Sequence, residues 1–508
     1  MLTRRDLIRS SAWLALTFPS REAGGLLAAP VFTADPFACG ISSGDPTAHG
    51  VVLWTRLMAD PAREQAWQRA RVRVRWEVAA DEAMKRIVRR GEWEATPELA
   101  HSVHADVEGL AAGRWYWYRF LVDGAESPIG RTRTAPAGGS DRLRFAFASC
   151  QHFEQGHYTA YEHMAGEDLD LVLHLGDYIY EGAARPNLVR AHTGGEIVTL
   201  SDYRNRYALY RSDARLREAH RLFPWVVTWD DHEVDNNYAA DVPEDSQQRE
   251  AFLERRANAY QAYYEAMPLR RSSMPRGSSM QLYRDVNFGS LARFFVLDTR
   301  QYRTDQPCGD GDKPPCAEMT AENQTMLGET QERWLTGGLG ASRAKWNVLA
   351  NQVMMAKVDR DGTDGERYPM DQWSGYDTAR VRFMRFLGER EPSNPVVITG
   401  DVHSNWVCDL RERFRDKESP VVASEFTGTS ISSGGDGVDV PERVAAYLPD
   451  NPQIHFHNAQ RGYVSCEVTG KQFRADYRVL DRVTAPGSPI RTKASFVLED
   501  GRRGVQRA

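Results

Sequence analysis

The sequence predicts an α/β protein in two parts, a small β-sandwich followed by a larger domain of layered sheets and helices. Two patterns support this. Apolar and polar residues alternate strictly in the first part, which is typical of half-buried strands. From residue 143 onward, short apolar runs alternate with helical segments, which indicates an α/β domain. The chain of 508 residues is also too long for one ordinary domain, because domains typically contain ~100 to 200 residues.

Residues 1–30 have the features of a twin-arginine export signal. Arg4 and Arg5 precede a short apolar patch, and small residues stand near Ala28 and Ala29. The alternative is an ordinary amphipathic first helix, because paired arginines are common and a charged "RE" pair interrupts the patch. We favour export, since the basic start, the weakly apolar middle and the small residues occur in the order that an export signal requires. The twin-arginine machinery is then a partner, and the protein is expected in the periplasm or outside the cell.

Residues 36–137 form the predicted β-sandwich. In "RVRVRWEV", residues 71–78, the valines and the tryptophan share one face. "LAAGRWYWYRFLVDG" repeats the alternation with aromatic residues and closes in a DG turn, and no long helical pattern occurs nearby. The Pro/Gly/Ser-rich stretch "TAPAGGSDR", residues 134–142, is a predicted domain boundary.

Residues 141–490 form the predicted larger domain, with helices in "SDYRNRYALYRSDARLREAH" and "QREAFLERRANAYQAYYEAM". Between such segments lie apolar runs that fit buried strands, among them "LVLHL". Five of these runs end at side chains that commonly bind metals or act in catalysis. The endings are Cys150; Asp177 and Tyr180; Asp230, Asp231 and His232; Asn351; Asp401 and His403.

Each ending taken alone has an ordinary structural explanation. Asp and Asn are turn residues, and a single Cys at a strand end is usually packed in a core. Open α/β sheets, however, collect functional groups at the carboxyl ends of their strands. Five such endings in one domain would repel one another without cations, so the sequence predicts bound metal.

Composition excludes two classes of protein. The chain has 64 basic and 70 acidic side chains, a formal charge of -6, which argues against neutralisation of nucleic-acid phosphates. No run after residue 30 approaches the ~18 uninterrupted apolar residues of a membrane span.

Cys308 and Cys316 flank the turn-rich "GDGDKPP", where a local disulfide would fit an oxidising compartment.

Several motifs in this order identify a family. "GISSGDPTAHGVVLWTRL" is followed by "FASC", "GDYIYE", "TWDDHEVDNN", "LDTRQYR" and "GDVH". Together they resemble the PhoD-type alkaline phosphatases of the calcineurin-like metallophosphoesterase superfamily, from about residue 36 to near the C-terminus. The resemblance implies an Ig-like or fibronectin-like β-sandwich followed by a four-layer αββα catalytic domain. It also implies an exported enzyme that hydrolyses phosphate monoesters, and diesters as well, at an iron and calcium centre.

The resemblance also assigns roles to single residues. Asp177 matches the aspartate that bridges two metals, and Tyr180 matches the phenolate that holds ferric iron in purple acid phosphatases. Cys150 and His403 complete the expected Fe³⁺ site, where a soft thiolate suits iron. Oxygen donors favour a hard cation, so Ca²⁺ is expected at the second site. That site comprises Asp177, Asp231, Asn351 and Asp401.

The implied reaction is in-line attack on phosphorus by a hydroxide that the metals make available near neutral pH. Asp177 and His232 are the expected catalytic residues. His232 corresponds to a histidine that contacts phosphate or assists the leaving group, although a supporting hydrogen-bonding role is nearly as well supported. Asp298 and Arg300 are either a structural ion pair or a phosphate contact. Asp230, with Asn236, is either a further calcium ligand or part of a capped turn.

Two other functions remain open from sequence alone. The first is a phosphodiesterase, such as a phospholipase D-like enzyme, that uses the same metal core. The second is an exported binding protein in which metals only stabilise the fold. Turnover of a mono-aryl phosphate, a bis-aryl phosphate and a phosphatidylcholine would distinguish the three.

Overall fold

The computed structural model describes residue 32, residues 34–58 and residues 67–508. The predicted export signal, with Arg4 and Arg5, lies outside the described residues. Within them, none of the helices combines the length and the apolar character needed to cross a membrane.

The secondary structure follows the predicted order. The strands are β1 (Ile41–Gly44), β2 (Gly50–Arg56), β3 (Val72–Ala79), β4 (Ile87–Ala95), β5 (Ser102–Glu108), β6 (Trp115–Val122), β7 (Ala125–Glu126), β8 (Gly130–Arg133), β9 (Arg142–Ala148), β10 (Leu171–Leu175), β11 (Pro224–Thr228), β12 (Arg284–Phe288), β13 (Ala292–Val296), β14 (Asp312–Lys313), β15 (Trp346–Ala350), β16 (Tyr368–Pro369), β17 (Pro395–Thr399), β18 (Asn405–Arg411), β19 (Val421–Thr427), β20 (Ile454–Asn458), β21 (Gly462–Thr469), β22 (Gln472–Leu480), β23 (Ile490–Glu499) and β24 (Gln506–Arg507). The main helices are α1 (Thr159–Ala165), α2 (Leu200–Arg211), α3 (Ala214–Leu222), α4 (Arg249–Ala266), α5 (Gly328–Gly340), α6 (Asp377–Arg390) and α7 (Glu442–Tyr447).

Two large sheets form the centre of the molecule. The first has ten strands in the order β24-β23-β22-β21-β9-β10-β11-β1-β2-β5, and the second has seven in the order β12-β13-β15-β17-β19-β18-β20. Strands β9, β10 and β11 are parallel, as are β13, β15, β17 and β19. Strands of this kind are covered on both faces, which explains why β10 and β17 are mostly apolar and buried along their whole length.

The two sheets lie face to face between two layers of helices. Apolar side chains of both sheets form one core, in which the rings of Phe145 and Phe294 meet edge to face with centroids 5.2 Å apart. Helices α1 to α4 pack on the outer face of the ten-stranded sheet, and α5 to α7 pack on the outer face of the seven-stranded sheet. The predicted four-layer αββα architecture is confirmed.

The N-terminal β-sandwich is present, but it shares a sheet with the larger domain. A five-stranded sheet of β3, β4, β6, β7 and β8 packs on β1, β2 and β5, which extend the ten-stranded sheet. Strand β1 pairs in parallel with β11, with Ser43 opposite Pro224. An alternating pattern shows which face of a strand is buried but not which strand lies beside it, so this pairing was not predicted. Ala135, inside the predicted linker, is buried in the core between the large sheets. The limits 36–137 and 141–490 stay predictions.

Two local expectations can be compared with the structure. The predicted disulfide between Cys308 and Cys316 is confirmed. The first predicted helical segment is divided into α2 and α3, because the Asp213 side chain accepts hydrogen bonds from the backbone N–H of Arg215 and Leu216 and thereby starts a new helix.

Candidate metal centre

The candidate site lies where the loops after β9, β10, β11, β15 and β17 converge. Four of the predicted ligands on these loops have left-handed backbone conformations: Cys150 (φ 59°), Asp177 (φ 57°), Asp401 (φ 63°) and His403 (φ 52°). Non-glycine residues rarely adopt this conformation, and it costs on the order of 1 kcal/mol or more at each position. Such strain persists only where the surrounding structure holds it, and it clusters at functional sites.

Two glycines allow these loops to come close together. A Cβ atom at Gly176 would lie 2.4 Å from Cβ of Asp230, and one at Gly400 would lie 2.4 Å from Oγ of Ser149. Both distances are far below van der Waals contact. The glycine that precedes Asp177 and the glycine that precedes Asp401 are therefore required by close approach of the backbone.

The first group of predicted ligands comprises Cys150, Asp177, His403 and Tyr180. Donor atoms of Cys150, Asp177 and His403 all lie within 4.8 Å of one another. The Tyr180 hydroxyl donates to Oδ2 of Asp177 at 2.8 Å and lies 3.2 Å from Nε2 of His403. It also accepts a hydrogen bond from Oγ of Ser433 at 2.7 Å. The structure therefore brings the four side chains of the expected iron site together, and their role as ligands stays a prediction.

The electrostatics of this group favour a bound cation. Burial, followed by the nearby Asp177 carboxylate, raises the pKa of both the Cys150 thiol and the Tyr180 phenol well above their usual values. Neither group ionises readily without a compensating positive charge. Burial and then Arg461 lower the pKa of His403 to about 3, which keeps its imidazole neutral, as a metal ligand must be.

The second group is made of four carboxylates and His232. Donor oxygens of Asp230, Asp231 and Asp401 lie within 4.8 Å of one another, and so do donors of Asp177, Asp231 and His232. Asp177 thus belongs to both groups, as a bridging residue would. Backbone N–H of Asn237 donates to Oδ2 of Asp231 at 2.8 Å, which fixes one oxygen and leaves the other available.

Unpartnered oxygens show that these residues fit a metal. Oδ1 of Asp177, Oδ2 of Asp230 and Oδ1 of Asp231 are buried and have no hydrogen-bond partner in the part of the chain that the structure describes. Leaving a buried polar atom without a partner costs about 1 to 3 kcal/mol. Three such oxygens in one cluster are well suited to a hard cation with oxygen ligands.

Arg300 lies among the carboxylates of the second group. Its Nε lies 2.5 Å from Oδ1 of Asp230, and its Nη1 lies 2.9 Å from Oδ1 of Asp371. Nη2 lies 3.6 Å from Asp231 and 3.7 Å from Asp401. Of the two alternatives for Asp298 and Arg300, the ion pair between their side chains is not formed among the described residues, because Asp298 accepts from the backbone N–H of Arg300 instead. The positive charge of the Arg300 guanidinium therefore offsets part of the negative charge of Asp230, Asp231 and Asp401.

Asn351 is buried at the end of β15 and is already hydrogen-bonded. Its Oδ1 accepts from the indole N–H of Trp373 at 3.2 Å, and its Nδ2 donates to the backbone oxygen of Val353. An amide oxygen has two lone pairs, so one remains for a cation. Its role as a ligand stays a prediction.

Sequence reasoning missed two glutamates that organise the site. The Glu233 carboxylate accepts hydrogen bonds from the backbone N–H of Asp177 at 3.1 Å, Tyr178 at 2.5 Å and Asp230 at 2.8 Å, which joins two ligand loops. Oε2 of Glu181 lies 2.7 Å from Nδ1 of His232. Both occur inside motifs that were noted, "DDHE" and "GDYIYE", which is the signal that could have found them.

His232 is held by two contacts. Glu181 binds Nδ1, and the imidazole lies over the Tyr180 ring with centroids 4.1 Å apart. Glu181 also accepts from the backbone N–H of Asn236 at 3.0 Å, whereas the Asn236 side chain donates to Glu244. The ring orientation therefore depends on Glu181. The proposed calcium role of Asp230 with Asn236 stays a prediction.

Replacing Glu181 by Ala is expected to lower kcat for an aryl phosphate by about 10- to 100-fold, because His232 loses the partner that orients its ring. Steady-state kinetics of the native protein measure this effect. Glu162→Ala is the matched control, since Glu162 is an exposed partner of Arg215 on the surface. An unchanged kcat in Glu181→Ala would show that His232 needs no such support.

Comparisons with known proteins agree with this geometry. A family model described as PhoD-like phosphatase matches residues 145–477, and one described as PhoD-like phosphatase, N-terminal domain, matches residues 24–136. The chain is 52% identical over 487 residues to alkaline phosphatase D of Bacillus subtilis (strain 168), covering 94% of this chain and 84% of that protein. A solved structure of PhoD superposes with a TM-score of 0.91 at 51% identity, covering 94% of this chain and 93% of that one.

Proposed function

The chain belongs to the PhoD-like phosphatase family, and from this premise we propose that it is an exported phosphatase that hydrolyses phosphate monoesters and diesters at a centre of Fe³⁺ and Ca²⁺. The observation that carries the proposal is the position of Asp177 in both donor groups. One group offers a thiol, a phenol and an imidazole, and the other offers carboxylates. Two cations of different character suit these two sets of donors.

We assign Fe³⁺ to Cys150, Asp177, Tyr180 and His403, and Ca²⁺ to Asp177, Asp231, Asn351 and Asp401. When bound, the metals would lower the pKa of a coordinated water towards neutrality and offset negative charge on the phosphoryl oxygens. The Glu233 carboxylate accepts from the backbone N–H of Asp177 and of Asp230 and so holds two ligand-bearing loops in place for this task.

His232 is the proposed acid or phosphate contact. Its Nδ1 is occupied by Glu181, and a ring nitrogen lies within 4.8 Å of donor oxygens of Asp177 and Asp231. The side chain is about 20% exposed, so a substrate can reach it. A protonated imidazole in this position can donate to the departing ester oxygen.

The substrate class is tested by comparing three esters with the native protein. We expect turnover of 4-nitrophenyl phosphate and of bis-4-nitrophenyl phosphate. Turnover of phosphatidylcholine alone would favour a phospholipase D-like enzyme. A protein with its metals bound that is inert towards all three would contradict the proposal and favour a binding protein with structural metals.

Tyr180→Phe is expected to shift or bleach a visible absorption band while the chain remains folded. Phenolate and thiolate ligands give charge-transfer colour with ferric iron, and this change removes the phenolate. Absorption spectra of the native protein and the variant measure the effect. Tyr203→Phe is the control, because this buried tyrosine hydroxyl donates to a backbone oxygen of Val234. Identical spectra in all three proteins would exclude Tyr180 from the iron site.

We propose export by the twin-arginine pathway, which carries folded proteins and so permits metal loading in the cytoplasm. Changing Arg4 and Arg5 together to Lys is expected to leave the precursor inside the cell. Cell fractionation and immunoblotting measure the distribution. Normal export of the double variant would show that residues 1–30 do not act as a twin-arginine signal.

A further inference from the structure

A loop closed by a disulfide lies against the candidate metal centre. The disulfide joins Cys308 to Cys316, and no step of the proposed chemistry uses it. Asp310 stands inside the closed ring, and its Oδ2 accepts a hydrogen bond from Nδ2 of Asn237 at 2.7 Å. Asn237 lies in the loop after β11, which also carries proposed metal ligands. The disulfide loop, residues 306–316, therefore contacts a ligand-bearing segment of the centre.

Asn237 connects the disulfide loop to a proposed ligand. Its side-chain amide donates to Asp310, and its backbone oxygen accepts from Nε2 of Gln306 at 2.5 Å and from Arg303 at 3.3 Å. Its backbone N–H donates to Oδ2 of Asp231 at 2.8 Å. Asn237 has a φ of 49°, a left-handed conformation that persists only where surrounding contacts hold it. The contacts from the disulfide loop therefore help to fix the N–H that orients Asp231.

Asp310 does not hold its own position. Its Oδ1 is buried and has no hydrogen-bond partner in the part of the chain that the structure describes, which is unfavourable. Its φ is 59°, and Gly309 and Gly311, each with a φ of 73°, stand on either side of it. Glycines leave a chain free to adopt many conformations. The position of Asp310 must therefore be imposed by the rest of the loop.

The disulfide supplies that constraint. Residues 309 and 311–315 are exposed, so burial does little to order the ring. The two cysteines, in contrast, pack against a small apolar cluster of Met319, Tyr368 and Met370. The crosslink anchors both ends of the ring at this cluster and removes the open conformations that the ring could otherwise adopt.

We infer that Asp310, kept in place by the Cys308–Cys316 disulfide, is a positioning residue for the proposed calcium site, because it holds Asn237, whose N–H orients the Asp231 carboxylate. The inference rests on the proposed function. It gives Asp310 no contact with substrate or metal, so the chemistry at phosphorus is unchanged. Loss of Asp310 should weaken calcium binding, and saturating calcium should restore turnover.

Calorimetric titration of the iron-loaded, calcium-depleted protein with calcium tests the inference. For Asp310→Ala we expect the Kd for calcium to rise by about tenfold, as when a metal ligand loses an outer hydrogen-bonding partner. Asp310→Asn should stay within about threefold of the native Kd, because its amide oxygen can still accept from Asn237. The double variant Cys308→Ala with Cys316→Ala should raise the Kd by about threefold to tenfold, since the ring is no longer closed.

Two further readouts distinguish positioning from loss of the centre. The calcium concentration that half-saturates hydrolysis of 4-nitrophenyl phosphate should rise in Asp310→Ala, while kcat at saturating calcium stays near the native value. Iron content and the visible spectrum should be unchanged. Asp500→Ala is the matched control, because Asp500 is an exposed turn residue that pairs with Lys345, just before the start of β15 and away from the site. It should bind calcium as the native protein does.

A native Kd for calcium in Asp310→Ala would overturn the inference. An equal loss in Asp310→Asn and Asp310→Ala would also overturn it, because the charge of Asp310 and not its hydrogen bond would then matter. A folded double cysteine variant with native affinity would exclude the role of the disulfide, and the two Asp310 variants decide the inference if that protein does not fold. A native, metal-loaded protein that neither binds calcium nor hydrolyses 4-nitrophenyl phosphate would contradict the proposed function instead.

Discussion

Asp177→Asn is expected to lower kcat/KM for 4-nitrophenyl phosphate by about a thousandfold or more, since metal assistance contributes several kcal/mol and each 1.36 kcal/mol is a factor of ten. Asp177 is the residue shared by the two donor groups, and its Oδ1 is buried without a partner in the described structure. Asparagine keeps the size of the side chain but removes the negative charge that would bind both proposed cations. We therefore expect the variant to lose metal as well as activity.

Steady-state kinetics together with metal analysis of the purified variant measure both effects. Asp409→Asn is the matched control, because Asp409 is also buried and pairs with His455 at 2.8 Å, but belongs to neither donor group. It should keep its metals and most of its activity. A fully active Asp177→Asn protein would show that Asp177 does not bridge the two sites.

Removal of calcium with a selective chelator is expected to abolish turnover while the visible colour persists. Calcium takes six to eight oxygen ligands and exchanges readily, whereas the proposed thiolate and phenolate ligands would hold iron more tightly. The proposed ligands, the carboxylates of Asp177, Asp231 and Asp401 and the amide of Asn351, would supply oxygens in place of the imidazoles that a transition metal would favour. Adding calcium back should restore activity, and adding zinc should not.

The double variant Asn351→His with Asp401→His provides a complementary test. Nitrogen donors favour borderline metals, so the preference of the depleted protein should move towards zinc or manganese. Reconstitution of native and variant proteins with each ion, followed by activity assays, measures the change. Rescue of the native protein by zinc as well as by calcium would show that the oxygen-rich site has been assigned to the wrong ion.

The strand ends were predictable from sequence because parallel strands covered on both faces are short and mostly apolar. The run "LVLHL" therefore marked β10, and the residues after it marked the site. Periodicity also predicted the alternating faces of β3 and β6. Buried and half-buried residues alternate along β6, and buried and exposed residues alternate over the first four residues of β3, whereas Trp76 and Glu77 are both half-buried.

Long-range pairing was not predictable. Arg300 reaches Asp230, which is 70 residues away, and no local pattern distinguishes that contact from a pair with Asp298. Glu233 connects two loops through backbone N–H groups, which carry no sequence signal. The pairing of β1 with β11 was not predictable for the same reason, because it is a contact between distant segments that neither strand's own sequence specifies.

Elemental analysis of the natively exported protein tests the central claim of a mixed iron and calcium centre most directly. The donor sets predict about one iron per chain together with calcium, and little zinc or manganese. Two transition-metal ions per chain without calcium, or calcium without iron, would contradict the assignment of the two sites.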